Sequence, residues 1–522
     1  MKGKTTDISI LLYPLCIIAF LAALILFFPE RAQFVIGELH GFFVNRMGVF
    51  YIALGIFVLL CSIFVACSKY RNVKLGDIEK PRYSGFKWGS LIFTATMAAD
   101  ILYWSLIEWG YYYSVNPFGV GELSAIERQQ IASTYPLFHW GPIPWAFYIL
   151  PATAYAYMFF VWKGKRQTLS EACRPLLKDK LDKGLGKLID IVSVVGLLGG
   201  TATTFALATP LMTNAIGRLL GIYAGNGVTI VVLLLNGLLF TLAVLFGMKA
   251  ITRLALVSVF MFFVFLSYVF FLGPTRFIME SGISGVGNML QNFVGMATWT
   301  DPLRLTGDGL SGFPQHWTIF YWAYWIAWFV ATPFFIAKVS EGRTIRQMIG
   351  GAFFYGIAGT FTSFIVFGNF GLYQQVTGRV DAASMLANDV APSEVILTLL
   401  GQLPGGSSVL LVILVVAMLA FYSSTFDAIT LVVAGFSRKT LVGSEHPDKK
   451  LRAFWAGVFI ILPIALIWSE STLTMLQTIS IIAAFPLGII MLMIIFSFLK
   501  ELRARAGAEC PRHGRGASRG EA

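Results

Sequence analysis

Between Trp317 and Trp328 the chain sets four tryptophans and two tyrosines into an otherwise apolar run. Trp322, Trp325 and Trp328 recur three apart, so on a helix they form a slowly turning stripe along one side. Aromatic faces attract cations through their quadrupoles, and quaternary ammonium groups, which have no N–H to donate, are the usual ligands of such cages. A second cluster, Trp140, Trp145 and Tyr148, follows Leu137-Phe-His139. Pro142 and Pro144 fit the first turn of a helix there, which puts Trp145 and Tyr148 on one face. An aromatic belt at the bilayer surface would explain either cluster alone. Two clusters, one of them deep in an apolar run, point instead to a cation site.

Groups able to handle charge sit in the same kind of apolar surroundings. Asp100 and Glu108 share one hydrophobic stretch, Phe93 to Tyr113. Insertion scales put a mid-bilayer aspartate at roughly +2.5 to 3.5 kcal/mol, so such groups ordinarily face a cavity and work there. Their other use is a structural hydrogen bond between helices. The small residues from Thr94 to Ala99, Met97 among them, allow close packing or local unwinding just ahead of Asp100. A third stretch carries Phe421, Ser424, Thr425 and Asp427. Its oxygens suit a small hard cation such as sodium, or they bond back to their own helix. The five cysteines and five histidines show no metal-ligand spacing, and Gly199-Gly200-Thr-Ala-Thr-Thr lacks the lysine of a P-loop. Without a nucleotide site the chain reads as a secondary transporter or channel rather than a pump, and no cofactor is expected.

These groups must be positioned by membrane helices. Of 522 residues, 57% are hydrophobic and 13% charged, and mean hydropathy is +0.74. No soluble domain of this length could bury that much apolar surface. Apolar runs fall near 8–28, 47–68, 89–113, 138–162, 188–218, 227–248, 252–273, 317–337, 348–373, 406–435, 452–469 and 474–499, about twelve spans. The first reads as a retained helix rather than a signal peptide, being too long and lacking a small-residue cleavage site. Lysine and arginine gather in alternate loops, after the second, fourth, sixth, eighth and tenth spans; the loops around 29–46, 114–137, 274–316 and 374–404 are poor in them. The positive-inside rule then places both termini in the cytoplasm and the chain in the cytoplasmic membrane. The net charge of +12 is accounted for by these loops and a basic tail at 500–522 that can touch anionic lipid headgroups, so no nucleic acid partner is expected.

Phe138-His-Trp-Gly-Pro-Ile-Pro-Trp145, Leu207-Ala-Thr-Pro-Leu211, Gly312-Phe-Pro-Gln-His-Trp-Thr-Ile-Phe-Tyr-Trp-Ala-Tyr-Trp325 and Ala337-Lys-Val-Ser-Glu-Gly-Arg-Thr-Ile-Arg346 resemble the betaine/carnitine/choline transporter family. Ile107-Glu108 with Tyr111-Tyr-Tyr113, Asn116-Pro-Phe-Gly and Thr300-Asp-Pro302 look closest to the family's carnitine/γ-butyrobetaine antiporter branch. The resemblance implies an all-α leucine-transporter-type fold with two inverted five-helix repeats, 88–273 and 315–499, after two extra helices at 8–68. The whole transporter domain would be 1–499, assembled as a homotrimer. It implies a substrate site at Trp140, Trp145, Tyr148 and Trp325, with Tyr111, Tyr324, Trp328 and Thr332 alongside.

The same resemblance marks departures. Tyr324 stands where the family has tryptophan, and Trp328 and Thr332 stand where the antiporter branch has tyrosine and methionine. The arginine by which that branch replaces sodium falls on Val259. Asp100 falls where proton-coupled choline carriers have an aspartate, while Ser424 and Thr425 match the hydroxyl pair of the family's sodium site; Met97 and Phe421 are further ion-coupling candidates. Exchange of trimethylammonium substrates and proton- or sodium-coupled symport are therefore both open, and an osmolyte sensor or valve is a third reading.

Overall fold

The computed structural model describes residues 6–95, 98–119, 121–246, 248–306, 312–404, 407–440 and 447–508. Among them every regular element is helical, and the isolated bridges Thr6–Arg438 and Lys74–Thr344 are the only strand-like pairings. Met97 and the tail beyond residue 508 lie outside the described residues. Among the described residues nine helices are long and apolar enough to cross a membrane, and three bent pairs raise the number to 12. These match the expected runs one for one, so the chain is a multi-pass membrane protein.

Several connecting stretches are more structured than loops. The fourth span begins with its own helix, Ala125–His139, started by a capping box in which Ser124 and Glu127 satisfy each other's backbone N–H groups. The stretch expected as a loop at 274–316 forms the helix Thr275–Thr298, at 105° to the span before it. Its buried Ile278, Gly282, Gly285 and Met289 fall at helical spacing; Gly285 rests on Ser133 and Leu137 of Ala125–His139, and Gly282 on Ile365. The long polar-to-apolar alternation hid that face from a search for continuous apolar runs.

Two spans are broken in the middle. The third divides into Gly85–Thr94 and Ala99–Tyr112 with a 63° bend, and the eighth into Pro314–Trp328 and Thr332–Val339 with a 55° bend. Pro333 opens the second half of the eighth; its ring and missing N–H cannot continue a helix from the residues before it. In the third, the small residues noted above meet the break, where Ala98 is extended.

Packing repeats after a shift of five spans. The fourth span packs on the eighth and the third on the ninth; the fifth packs on the twelfth and the tenth on the seventh. The fifth also meets the eleventh, as the tenth meets the sixth, while fifth and tenth, and sixth and eleventh, meet each other. Five is odd, so corresponding spans cross the membrane in opposite directions, which makes the repeat inverted. The first two spans lie outside this pattern, against the fifth, eleventh, fourth and ninth.

The basic loops assemble on one face. Leu75 N donates to Arg343 O (2.8 Å) and Gly342 N to Leu75 O (2.6 Å), joining the loops after the second and eighth spans. Gly342 has φ +84°, and a Cβ there would fall 2.8 Å from Pro81 Cα, so only glycine fits. Arg343 Nη2 donates to Tyr83 O (3.1 Å) and Ser84 O (3.2 Å), and its guanidinium lies 4.0 Å over Trp88, whose indole donates to Ser340 (3.0 Å). The near ends of the two broken spans are thereby clamped together. Arg343→Ala strips two carbonyls of a charged donor and should cost roughly 2–3 kcal/mol. The melting temperature of the detergent-solubilised protein should fall accordingly, and an unchanged value would show the clamp to be dispensable.

Candidate functional site

The two aromatic clusters meet. Trp140 caps Ala125–His139, Trp145 and Tyr148 lie on Pro142–Tyr157, and Trp325 lies on Ile319–Trp328. The Trp325 ring centre is 5.4 Å from Trp140, 5.5 Å from Trp145 and 4.6 Å from Tyr148, with interplanar angles of 62°, 64° and 47°. Rings tilted this way make a corner rather than a flat stack. All four are buried, the most exposed being Tyr148 at 8%, and all line one cavity of about 350 Å³. That volume falls within the range of small-molecule sites.

The rings are held from behind. Trp140 Nε1 donates to Glu108 Oε2 (2.7 Å) and Trp145 Nε1 to Thr360 Oγ1 (3.3 Å), while Thr360 Oγ1 donates to Trp140 O (2.8 Å). Trp145 lies flat on Gly356, where a Cβ would come 2.6 Å from the ring. Trp140 in turn stacks on Phe364 (4.9 Å), so the bonds at the indole edges leave the opposite π face of each ring for a ligand.

Tyr324, Trp328, Thr332, Asp100, Ser424 and Thr425 line the same cavity. Asp100 stands in the first turn of Ala99–Tyr112, at the positive end of that helix, and accepts from the Tyr324 hydroxyl (3.0 Å). Tyr324 also pairs with the Thr204 hydroxyl. Ser424 Oγ donates to Phe421 O (2.9 Å), a bond back to its own helix. Among the described residues no cluster of three His, Cys, Asp or Glu could hold a metal.

Two expected residues stand elsewhere. Tyr111 is eleven residues beyond Asp100, nearly the same side of the helix but about 16 Å further along it; it packs on Trp317 (5.0 Å) instead. Phe421 is fully buried against Phe262 (6.1 Å), one helical turn from the cavity-lining Ser424 and Thr425. Asp427, noted with Ser424 and Thr425, lines the cavity too, and so does Lys338, which the sequence offers only as one of the basic residues that mark topology. Asp427 is paired with Arg452. Thr360 and Gly356 were also missed, since a lone threonine or glycine in an apolar span gives no signal of what it faces.

Above the cage a buried polar layer closes the path. Tyr112 OH donates to Glu108 Oε1 (2.8 Å), His139 Nδ1 lies 3.0 Å from that hydroxyl, and His139 Nε2 lies 3.1 Å from Thr318 Oγ1. Tyr321 stacks on His139 at 4.7 Å, and Trp317 packs edge-on against Tyr112 at 5.1 Å. Glu108 and His139 are both completely buried. On the opposite side the cavity wall runs down through Phe334, Lys338 and Leu431. The cavity is thus directed toward the face bearing the basic loops.

Twelve spans in an inverted repeat, with two broken helices meeting at a cavity, define the architecture of a secondary transporter. The sequence profile of BCCT, the betaine/carnitine/choline family transporters, matches residues 9–507, and the chain belongs to that family. It is 32% identical over 490 residues to a probable glycine betaine transporter of Desulfitobacterium hafniense (strain Y51), covering 92% of this chain and 94% of that one. It is 30% identical over 454 residues to a carnitine transporter of Acinetobacter baumannii, covering 86% and 80%. An uncharacterized transporter, YeaV, of Escherichia coli (strain K12) is 30% identical over 455 residues, covering 86% and 92%. The protein is a transporter and not an enzyme.

Gly356→Leu should push Trp145 out of the corner it shares with Trp325. Its tryptophan emission should shift, and affinity for a quaternary ammonium ligand by calorimetry should fall roughly tenfold or more, about 1.4 kcal/mol. Unchanged affinity would remove Trp145 from the site.

Proposed function

We propose that the protein carries trimethylammonium compounds of the carnitine, γ-butyrobetaine, betaine or choline type across the cytoplasmic membrane by alternating access, chiefly by exchange. The observation carrying this reading is the corner of Trp140, Trp145, Tyr148 and Trp325 in a single buried cavity, with Tyr324, Trp328 and Thr332 on its walls. Relatives named as carnitine and glycine betaine transporters support the substrate class. Both compounds join a trimethylammonium head to a carboxylate. Tyr111, on Trp317, is assigned to the closed outer layer. The transporter domain spans 1–499, with repeats at 88–273 and 315–499 after the helices at 8–68. Both termini lie in the cytoplasm, and the working unit is a homotrimer.

A cation–π site is worth ~2 kcal/mol or more when desolvated. Trp325→Leu should therefore weaken binding of carnitine or betaine by an order of magnitude or more, and an uncharged tert-butyl analogue should bind poorly to the wild type. Normal binding and transport by Trp325→Leu would place the site elsewhere.

A second reading, coupled symport, is favoured by the position of Asp100 on the cavity wall. Burial disfavours a charged carboxylate, and alternating access would move it between the two aqueous sides. In proteoliposomes, proton-driven accumulation in the wild type that is lost in Asp100→Asn, with exchange retained, would establish it. Fast exchange with no pH-driven accumulation would leave the exchanger. Sodium coupling would appear as gradient-driven uptake abolished by Ser424→Ala with Thr425→Ala; flat sodium dependence would make those hydroxyls packing groups.

A further inference from the structure

Three acidic or basic side chains line the cavity among the described residues: Asp100, Asp427 and Lys338. Asp427 is neutralised by Arg452, and Asp100 accepts from Tyr324. Lys338 has neither an ion pair nor a hydrogen bond among the described residues, yet it is only half-exposed within the inner half of the eighth span. An ammonium withdrawn from water without a counter-anion is costly, and ionisable groups kept inside a membrane span usually serve a ligand path.

Its direction is set by the helix. Side chains on a helix lean toward its N-terminus, and the N-terminus of Thr332–Val339 is the break beside the cage. Thr332, Phe335 and Lys338 recur three apart, and all three face the cavity. Just across the break, Trp328 is 9% exposed, and its indole N–H has no hydrogen-bond partner among the described residues. A buried donor left unpaired is as unusual as the lone ammonium beyond it. Both are donors, and neither has an acceptor among the described residues.

We propose that Lys338 and the Trp328 indole N–H, with the Thr332 hydroxyl between them, form a subsite for a carboxylate carried on a short spacer from the quaternary ammonium head. The inference rests on the cation-cage reading and narrows its substrate class to zwitterions. Asp100 places a carboxyl group, held by Tyr324, beside the cage, and Lys338 stands further along the cavity wall. A zwitterion with its head among the aromatic rings lies along this line. A bare cation such as choline gains the cage but leaves Lys338 and Trp328 unpaired.

The test uses γ-butyrobetaine and its methyl ester, which differ in the negative charge, with choline as a third ligand, in calorimetric titrations of the full-length protein. Wild type should prefer the acid to the ester by roughly tenfold or more, as a charge-assisted contact implies. Lys338→Gln should bring the two affinities close together by weakening the acid alone, with choline and ester binding kept, and Lys338→Arg should retain a preference. Trp328→Phe, which keeps a ring and deletes the donor, should narrow the ratio several-fold. An undiminished acid-to-ester ratio in Lys338→Gln overturns the subsite. Should that variant fail to fold, an undiminished ratio in Trp328→Phe does so. Loss of all three ligands on Trp325→Leu supports the cage, whereas wild-type binding of none of them defeats the underlying reading as well.

Discussion

In hydrocarbon every backbone N–H and C=O must be paired within the protein, so a helix can be interrupted at mid-membrane only where the interruption faces a cavity or a neighbouring polar group. The third and eighth spans are both interrupted, with bends of 63° and 55°. The cavity beside them and the breaks themselves are therefore consequences of one constraint. Asp100 reaches the cavity because it begins the second half of one broken helix, and Thr332 because it begins the second half of the other. The inverted repeat places the two breaks together, since these spans hold corresponding positions in two oppositely oriented halves.

An aromatic cage works only if the faces of its rings stay free and their tilt is fixed. Glu108 and Thr360 meet both needs by bonding Trp140 and Trp145 at their indole edges, and Gly356 supplies the flat bed that Trp145 requires. Glu108 also joins the cage to the buried layer of Tyr112, His139 and Thr318 above it. Closure of that side and the shape of the cage are accordingly mechanically linked through one carboxylate. At the opposite end, Arg343, Trp88 and Ser340 bind the near halves of the two broken spans to each other.

Much of this was legible in the chain. Apolar length fixed the number of spans to expect, because transfer energy acts residue by residue along the sequence. The aromatic clusters stood out for the same reason: Trp140, Trp145, Tyr148 and Trp325 are chemically conspicuous wherever they fall, and all four line one cavity. What local pattern could not reveal was which faces meet. Tyr111 has the right chemistry and nearly the right side of its helix, but stands three turns too far along. Lys338 looked like a topology signal until the bend of the eighth span turned its helix toward the cavity, and Thr360 and Gly356 are unremarkable residues until Trp145 rests on them. Those outcomes depend on helix bends and on contacts between residues more than two hundred positions apart, which only the packed tertiary structure brings within bonding distance.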